Sequence, residues 1–229
     1  MQDLNLNLKD NKDIKAVIFD MDGLMFDTEN LNRKGWYAAG AKHGYEMTDE
    51  IIFSHIGTDL DTTRRLMTEH FIKAHKDFNF DELRAERIEF THNYIIEHGM
   101  PLKKGLNELL AWLNAHDFKI AMATSSGREL VDFYLAHADV KYKFKNIITW
   151  QPGMKGKPAP DIFLAAAQEL EVKPEECLVL EDSYNGIRAA HAANMNVIMI
   201  PDLLKPTPEI LQLTDAILED LTQVIKFLK

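Results

Sequence analysis

The stretch Lys15-Ala16-Val17-Ile18-Phe19-Asp20-Met21-Asp22-Gly23 decides the fold class. Ala16 to Phe19 is apolar without interruption, which is how a strand reads when both of its faces are covered, and the turn that follows carries two carboxylates. The same grammar recurs in KIAMA ending at Ala123, NIIT at Thr149, CLVL at Leu180, NVIMI at Ile200 and AIL at Leu218. Helical stretches separate the later strands: Leu106 to Ala115, Arg128 to His137, Asp161 to Leu170, Asn185 to Ala193, and a terminal one from Leu221. Strand, helix, strand at this spacing requires right-handed crossovers. The expected fold is therefore α/β, with a doubly wound parallel sheet.

From Thr28 to Gly99 the rhythm breaks, with helix signals and no convincing strand. Thr28 can cap a helix to about His43, with Gly44 just beyond it, and Thr48 or Asp49 can cap another that ends before Gly57. Asp81 opens a third, in which Leu83, Phe90 and Tyr94 share a face. The chain reads as a catalytic core of residues 1–29 and 101–229, into which a helical domain of residues 30–100 is inserted after the first strand, its exit marked by Gly99 and Pro101. The first dozen residues read as a frayed leader.

Charge and composition exclude several functions. With 26 Lys+Arg against 36 Asp+Glu among 229 residues, the net charge is −10, so nucleic acid is not an expected partner. The run VIMI near residue 198 is far too short to span a membrane. The single cysteine, Cys177, cannot form an internal disulfide and opens an apolar run, as a buried structural thiol does. The N-terminus lacks the basic start and apolar core of a signal peptide. A cytoplasmic monomer is expected. None of the nine histidines has a partner at metal-ligand spacing, so they read as surface or capping residues.

In an open parallel sheet, ligands bind beyond the carboxyl ends of the strands. There the chain places Asp20 and Asp22, then Thr124-Ser125-Ser126-Gly127, then Lys155-Gly156-Lys157-Pro158-Ala159-Pro160-Asp161, then Glu181-Asp182-Ser183. Each alone has a modest reading: a turn, a helix N-cap, a stiff entry to a helix capped by Asp161, a helix start. Together they gather four carboxylates, a hydroxyl and an ammonium group at one sheet edge. Close like charges repel by several kcal/mol at an effective dielectric of about 20, and a divalent cation removes that cost. Oxygen donors without His or Cys point to Mg²⁺.

The strings IFDMDGLMFDTE, ATSS, KGKPAPDIF and LEDSYNGIRAA resemble the four motifs of the haloacid dehalogenase superfamily, in its β-phosphoglucomutase-like branch with a helical cap after the first motif. The likeness runs in order from Val17 to about Pro201. It implies phosphoryl transfer through an aspartyl-phosphate. By that resemblance Asp20 is the nucleophile, Asp22 the general acid and base, Thr124 a ligand of the phosphoryl oxygens and Lys157 the charge-neutralising lysine. Asp182, helped by Glu181, binds the metal, and in the family Mg²⁺ is held by the first aspartate, the backbone carbonyl of the second and the fourth-motif acid. Ser125 and the backbone around Met21 become candidate phosphate contacts. The chemistry suits the spacing: a carboxylate on phosphorus splits hydrolysis into two steps, and a second acid two residues on can point the same way to move the proton.

Dehalogenation has no use for Asp22, because a halide needs no proton. A β-phosphoglucomutase has a cap histidine twelve residues after its nucleophile and an arginine in a Gly-x-x-Arg stretch; here those positions hold Asn32 and Leu60, the latter in Gly57-Thr58-Asp59-Leu60. Arg64 and Arg65 could replace that arginine but read more simply as solvated residues of a cap helix. The expectation is an Mg²⁺-dependent phosphatase acting on a small phosphorylated metabolite of sugar or polyol type, selected by cap residues around Asn32, Trp36 and Gly57 to Arg65. A mutase is the nearer alternative and a catalytically dead phosphate-binding module the more distant one.

Overall fold

The computed structural model describes residues 13–54, 56 and 60–228. The leader expected over the first dozen residues and the candidate Gly57 lie outside the described residues. The chain divides into two compact units, one formed by Met1–Asp27 with Met100–Lys229 and one by Thr28–Gly99.

In the first unit a six-stranded parallel sheet runs in the order β3-β2-β1-β4-β5-β6, from β1 (Ala16–Phe19), β2 (Lys119–Thr124), β3 (Asn146–Thr149), β4 (Cys177–Glu181), β5 (Asn196–Met199) and β6 (Ala216–Ile217). In register, Phe19 stands beside Met122 and Leu180, so the residues just past β1, β2 and β4 emerge side by side. The alternation of side chains sends Ala16, Ile18, Ala121, Ala123, Val179 and Val197 to one face, where they pack with Phe163, Ala166, Ile187 and Ala190 of α7 (Asp161–Glu169) and α8 (Tyr184–Ala192). Helix α5 (Leu106–Ala115) packs on β2 and buries Leu106, Leu109, Leu110 and Leu113. Cys177 is buried, and burial pushes its thiol up to about 12, as suits a structural residue. His98, His116 and His137 each place Nδ1 within 3.2 Å of the carbonyl four residues earlier, the capping use expected of such histidines.

The second unit comprises α1 (Thr28–His43), α2 (Asp49–Phe53), α3 (Leu60–Phe71) and α4 (Phe80–His98). Its core gathers Trp36, Ala39, Tyr45, Ile52, Met67, Phe71, Phe80 and Leu83. The buried face of α4 corrects the sequence reading. Leu83 is buried, but Phe90 and Tyr94 are only half-buried, and the covered residues are Phe80, Leu83, Thr91 and Ile95. Thr91 tolerates burial because its hydroxyl donates to Ile88 O at 2.9 Å. Asn79, not Asp81, caps this helix, accepting from the N–H groups of Asp81 and Glu82. No helix among the described residues is long and apolar enough to cross a membrane.

Candidate active site

Beyond β1 the chain turns at once. Met21 O accepts from Met25 N at 3.0 Å and Phe26 N at 3.2 Å, and Gly23 N donates to Phe26 O at 3.0 Å. Gly23 holds φ +78°, and a Cβ there would meet Asp182 Oδ2 at 2.2 Å, so glycine both permits the turn and leaves room for that carboxylate. Met21 itself is fully buried and shapes this turn through its backbone.

Asp20, only 6% exposed, sits at the mouth of the sheet with its N–H on Leu180 O. Lys157 Nζ donates to Asp20 Oδ1 and, at 2.6 Å, to Glu181 Oε1, with its ammonium 4.8 Å from the centre of the Phe163 ring. Burial pushes Asp20 up to about 8; Lys157 opposes this, while Glu181 and Asp22 add to it. The field of Lys157 is shared with Glu181, and so cannot cancel the cost of burying Asp20 as an ion. Burial alone would lower Lys157, but Asp20 and Glu181 outweigh it and hold the ammonium above its ordinary range.

Glu181 is fully buried, and four donors surround its carboxylate: Lys157 on Oε1, and Asp182 N (2.9 Å), Ser183 N (2.7 Å) and Ser183 Oγ (2.9 Å) on Oε2. Ser183 also caps α8 by accepting from Gly186 N at 3.1 Å. One carboxylate thus organises the lysine and the turn carrying Asp182. Asp20, Glu181 and Asp182 each offer an oxygen, all within 4.8 Å of one another, a set that could hold a metal ion.

Thr124, at the end of β2 and 1% exposed, accepts from Ser126 N at 3.0 Å and lies 3.5 Å from Asp22 Oδ2. The shorter bond to that oxygen comes from Ser126 Oγ, at 2.8 Å. Ser125, the candidate from sequence, is exposed, and the partner of Asp22 is its neighbour. Of the residues singled out, Asp20, Asp22, Thr124, Lys157, Glu181 and Asp182 come together in the first unit. Asn32 lies on α1 of the second unit, where it accepts from Arg87 Nη1. Trp36 is there as well, 7% exposed, with the Arg87 guanidinium 5.1 Å from its ring centre. Arg64 is bonded to Asp81 at 2.6 Å and Arg65 to Glu69 at 3.1 Å, so each is ion-paired at the surface where the sequence reading had it simply solvated.

Three residues escaped the sequence reading. Ser126 and Ser183 stood inside quoted motifs, and side chains at the second position of a turn commonly reach back to the strand end. Gly186 carried no signal: a Cβ on it would fall 1.6 Å from Glu181 Oε1. Asp161 was expected to cap α7. Pro160 occupies the cap position instead, and the Asp161 carboxylate accepts from Lys155 N at 3.0 Å, bracing the loop that delivers Lys157.

Known proteins resemble this chain along most of its length. The probable pseudouridine-5'-phosphatase of Drosophila melanogaster is 34% identical over 201 residues, covering 84% of this chain and 85% of that protein. The fructose-1-phosphate phosphatase of Escherichia coli K12 is 29% identical over 183 residues, covering 80% and 94%. A crystal structure of β-phosphoglucomutase from Clostridium difficile superposes with a TM-score of 0.69 at 25% identity, covering 92% and 93% of the two chains. The model of the haloacid dehalogenase-like hydrolases matches residues 17–200, from the first strand to the end of the fifth, and the chain belongs to that family.

Proposed function

We propose that this protein is an Mg²⁺-dependent phosphatase that hydrolyses a small phosphorylated metabolite, of sugar or polyol type, through a phosphorylated Asp20. The observation that carries the reading is the ordered site itself: a buried Asp20 bonded to Lys157, with Asp22 two residues on and held by Ser126. The phosphatase names of the two curated relatives support the same class.

The donor set fits Mg²⁺. It is all oxygen, and Asp20, Glu181 and Asp182 bring three negative charges against the one positive charge of Lys157, an imbalance a dication closes. Asp20, Asp182 and the backbone carbonyl of Asp22 are the ligands we assign. Glu181 has its lone pairs occupied by four donors and acts through charge and orientation. Bound there, the ion would supply the positive charge that keeps Asp20 ionised and offsets charge on the phosphoryl oxygens.

The residues then divide the work. An oxygen of Asp20 attacks phosphorus as the bond from phosphorus to the substrate alcohol breaks, and Asp22 gives its proton to the departing oxygen. Thr124 and Lys157 hold the phosphoryl oxygens, with Ser125 and the backbone around Met21 as further contacts. Asp22 next takes a proton from water, the water oxygen attacks phosphorus, and the bond to Asp20 breaks to release phosphate. The Ser126 bond to Asp22 Oδ2 fixes the rotamer for both transfers. Asn32 and Gly57 are the candidates for selecting the substrate from the inserted unit, the cap.

Phosphate release over a panel of phosphorylated metabolites, with and without chelator, tests the reading. Wild type should release phosphate only with Mg²⁺, and Asp20→Asn should stay at background; turnover by Asp20→Asn refutes the nucleophile. Transfer of the β-phosphoglucomutase type is the second reading, on the structural likeness. Conversion of a hexose 1-phosphate to its 6-phosphate faster than phosphate release would favour it.

A further inference from the structure

Lys157 reaches Asp20 and Glu181 from residues 150–160, a connection between β3 and α7 without helix or strand. Gln151, Pro152, Gly153, Lys155 and Gly156 are exposed, and a Cβ on Gly153 or Gly156 would meet nothing within 4 Å, so packing does not hold this loop. Hydrogen bonds do. Two of them converge on a single peptide group, the one joining Met154 to Lys155. Its carbonyl, Met154 O, accepts from Trp150 Nε1 at 3.1 Å, and its N–H, on Lys155, donates to Asp161 Oδ2 at 3.0 Å. The two side chains come from opposite ends of the loop: Trp150 is the first residue beyond β3, whose Thr149 pairs with Thr124, and Asp161 opens α7. Lys157 lies two residues past the clamped peptide. The other bonds, Met154 N to Gln151 O at 3.1 Å and Ala159 N to Gly156 O at 3.0 Å, close turns inside the loop and tie it to neither element. Apolar burial gives little account of Trp150, which is 48% exposed; what its ring supplies is a donor on a rigid arm long enough to reach across the turn.

We infer that Trp150 is a positioning residue for Lys157: its indole N–H, together with the Asp161 carboxylate, clamps the Met154–Lys155 peptide and so fixes the loop that delivers the ammonium group to Asp20. Such precision matters, because a displacement of about 1 Å at a reacting centre can cost about 100-fold in rate. The clamp stands without the phosphatase reading, whereas its consequence for turnover rests on that reading.

Trp150→Phe keeps a ring and removes the donor; Trp150→Ala removes both. In hydrogen–deuterium exchange of the metal-free protein, read by mass spectrometry, the amides of residues 151–157 should exchange about threefold to tenfold faster in both variants, the value of one neutral hydrogen bond, with those of β1 and β2 unchanged. In phosphate release on the best substrate of the metabolite panel, kcat should fall by about the same factor in both, with KM within about twofold of wild type. Adding Trp150→Phe to Lys157→Met should lower the remaining rate no further, since the group being positioned is gone, whereas a general loss of structure would lower both backgrounds alike. The exchange measurement needs neither turnover nor a folded Lys157 variant. Unchanged exchange in Trp150→Phe overturns the clamp. Faster exchange with unchanged kcat, or an equal further loss in the Lys157→Met background, overturns the positioning role. A wild type that releases phosphate from no ester would refute the phosphatase reading and leave the exchange result to decide the clamp.

Discussion

Replacing Gly186 by alanine looks harmless, since it lies inside α8 and alanine is the better helix former by about 1 kcal/mol. The site predicts the opposite. The added methyl would stand 1.6 Å from Glu181 Oε1, 1.9 Å from Cδ and 2.5 Å from Oε2, so the whole carboxylate must move. It cannot move without leaving Lys157, Asp182 N and both Ser183 donors, all now bonded between 2.6 and 2.9 Å. Stranding a fully buried carboxylate costs about 3–5 kcal/mol, so the net loss after the helix gain is about 2–4 kcal/mol. For a chain of this size that is a fall in Tm of about 5–15 °C. Differential scanning calorimetry in chelator measures it, and phosphate release in Mg²⁺ should fall at least tenfold because Lys157 loses one of its two anchors. A Gly186→Ala protein as stable and active as wild type would refute a rigid Glu181, and with it the reading of how Lys157 and Asp182 are held.

Ser126→Ala removes the 2.8 Å bond to Asp22 and should lower kcat by about fivefold to tenfold with KM unchanged, because the proposed proton donor loses its fixed rotamer rather than the substrate its contacts; a change confined to KM would move Ser126 to substrate binding. Metal-free stability should depend on pH through Asp20. The folded protein keeps this proton up to about pH 8, whereas the unfolded chain loses it at about pH 4, so between these limits the native state binds more protons. Stability in chelator should therefore fall as pH rises from 5 to 8, by up to about 1.4 kcal/mol per unit, and urea titrations of Asp20→Asn should lack that slope.

The legible parts of the sequence were those where one physical constraint acts on a short run. Uninterrupted apolar strands such as Ala16–Phe19 and Cys177–Glu181 announce a sheet covered on both faces, and the polar residues immediately beyond them lie at the ligand edge because parallel strands all end there. What the pattern concealed depends on contacts between distant segments. Thr91 reads as polar until its hydroxyl is seen to close on Ile88. Asp161 reads as a cap, but a free loop N–H at Lys155 competes for it. Ser126 and Ser125 are indistinguishable on paper; only the direction of the turn after β2 decides which one reaches Asp22.

Where the chain leaves the first unit and where it returns, the two segments are bonded to each other: Asp27 N donates to Pro101 O at 3.0 Å, Lys103 N to Met25 O at 2.9 Å, and Phe26 pairs with Leu102 as an antiparallel bridge. Thr28–Gly99 is thus a closed excursion with adjacent ends, and the entropy of closing such a loop grows only as the logarithm of its length, about 0.6 kcal/mol for each doubling. Evolution can lengthen, shorten or exchange the excursion without disturbing strand order or the residues beyond β1, β2 and β4. In this sense the excursion is a cassette, whose length and content are decoupled from the sheet that carries it.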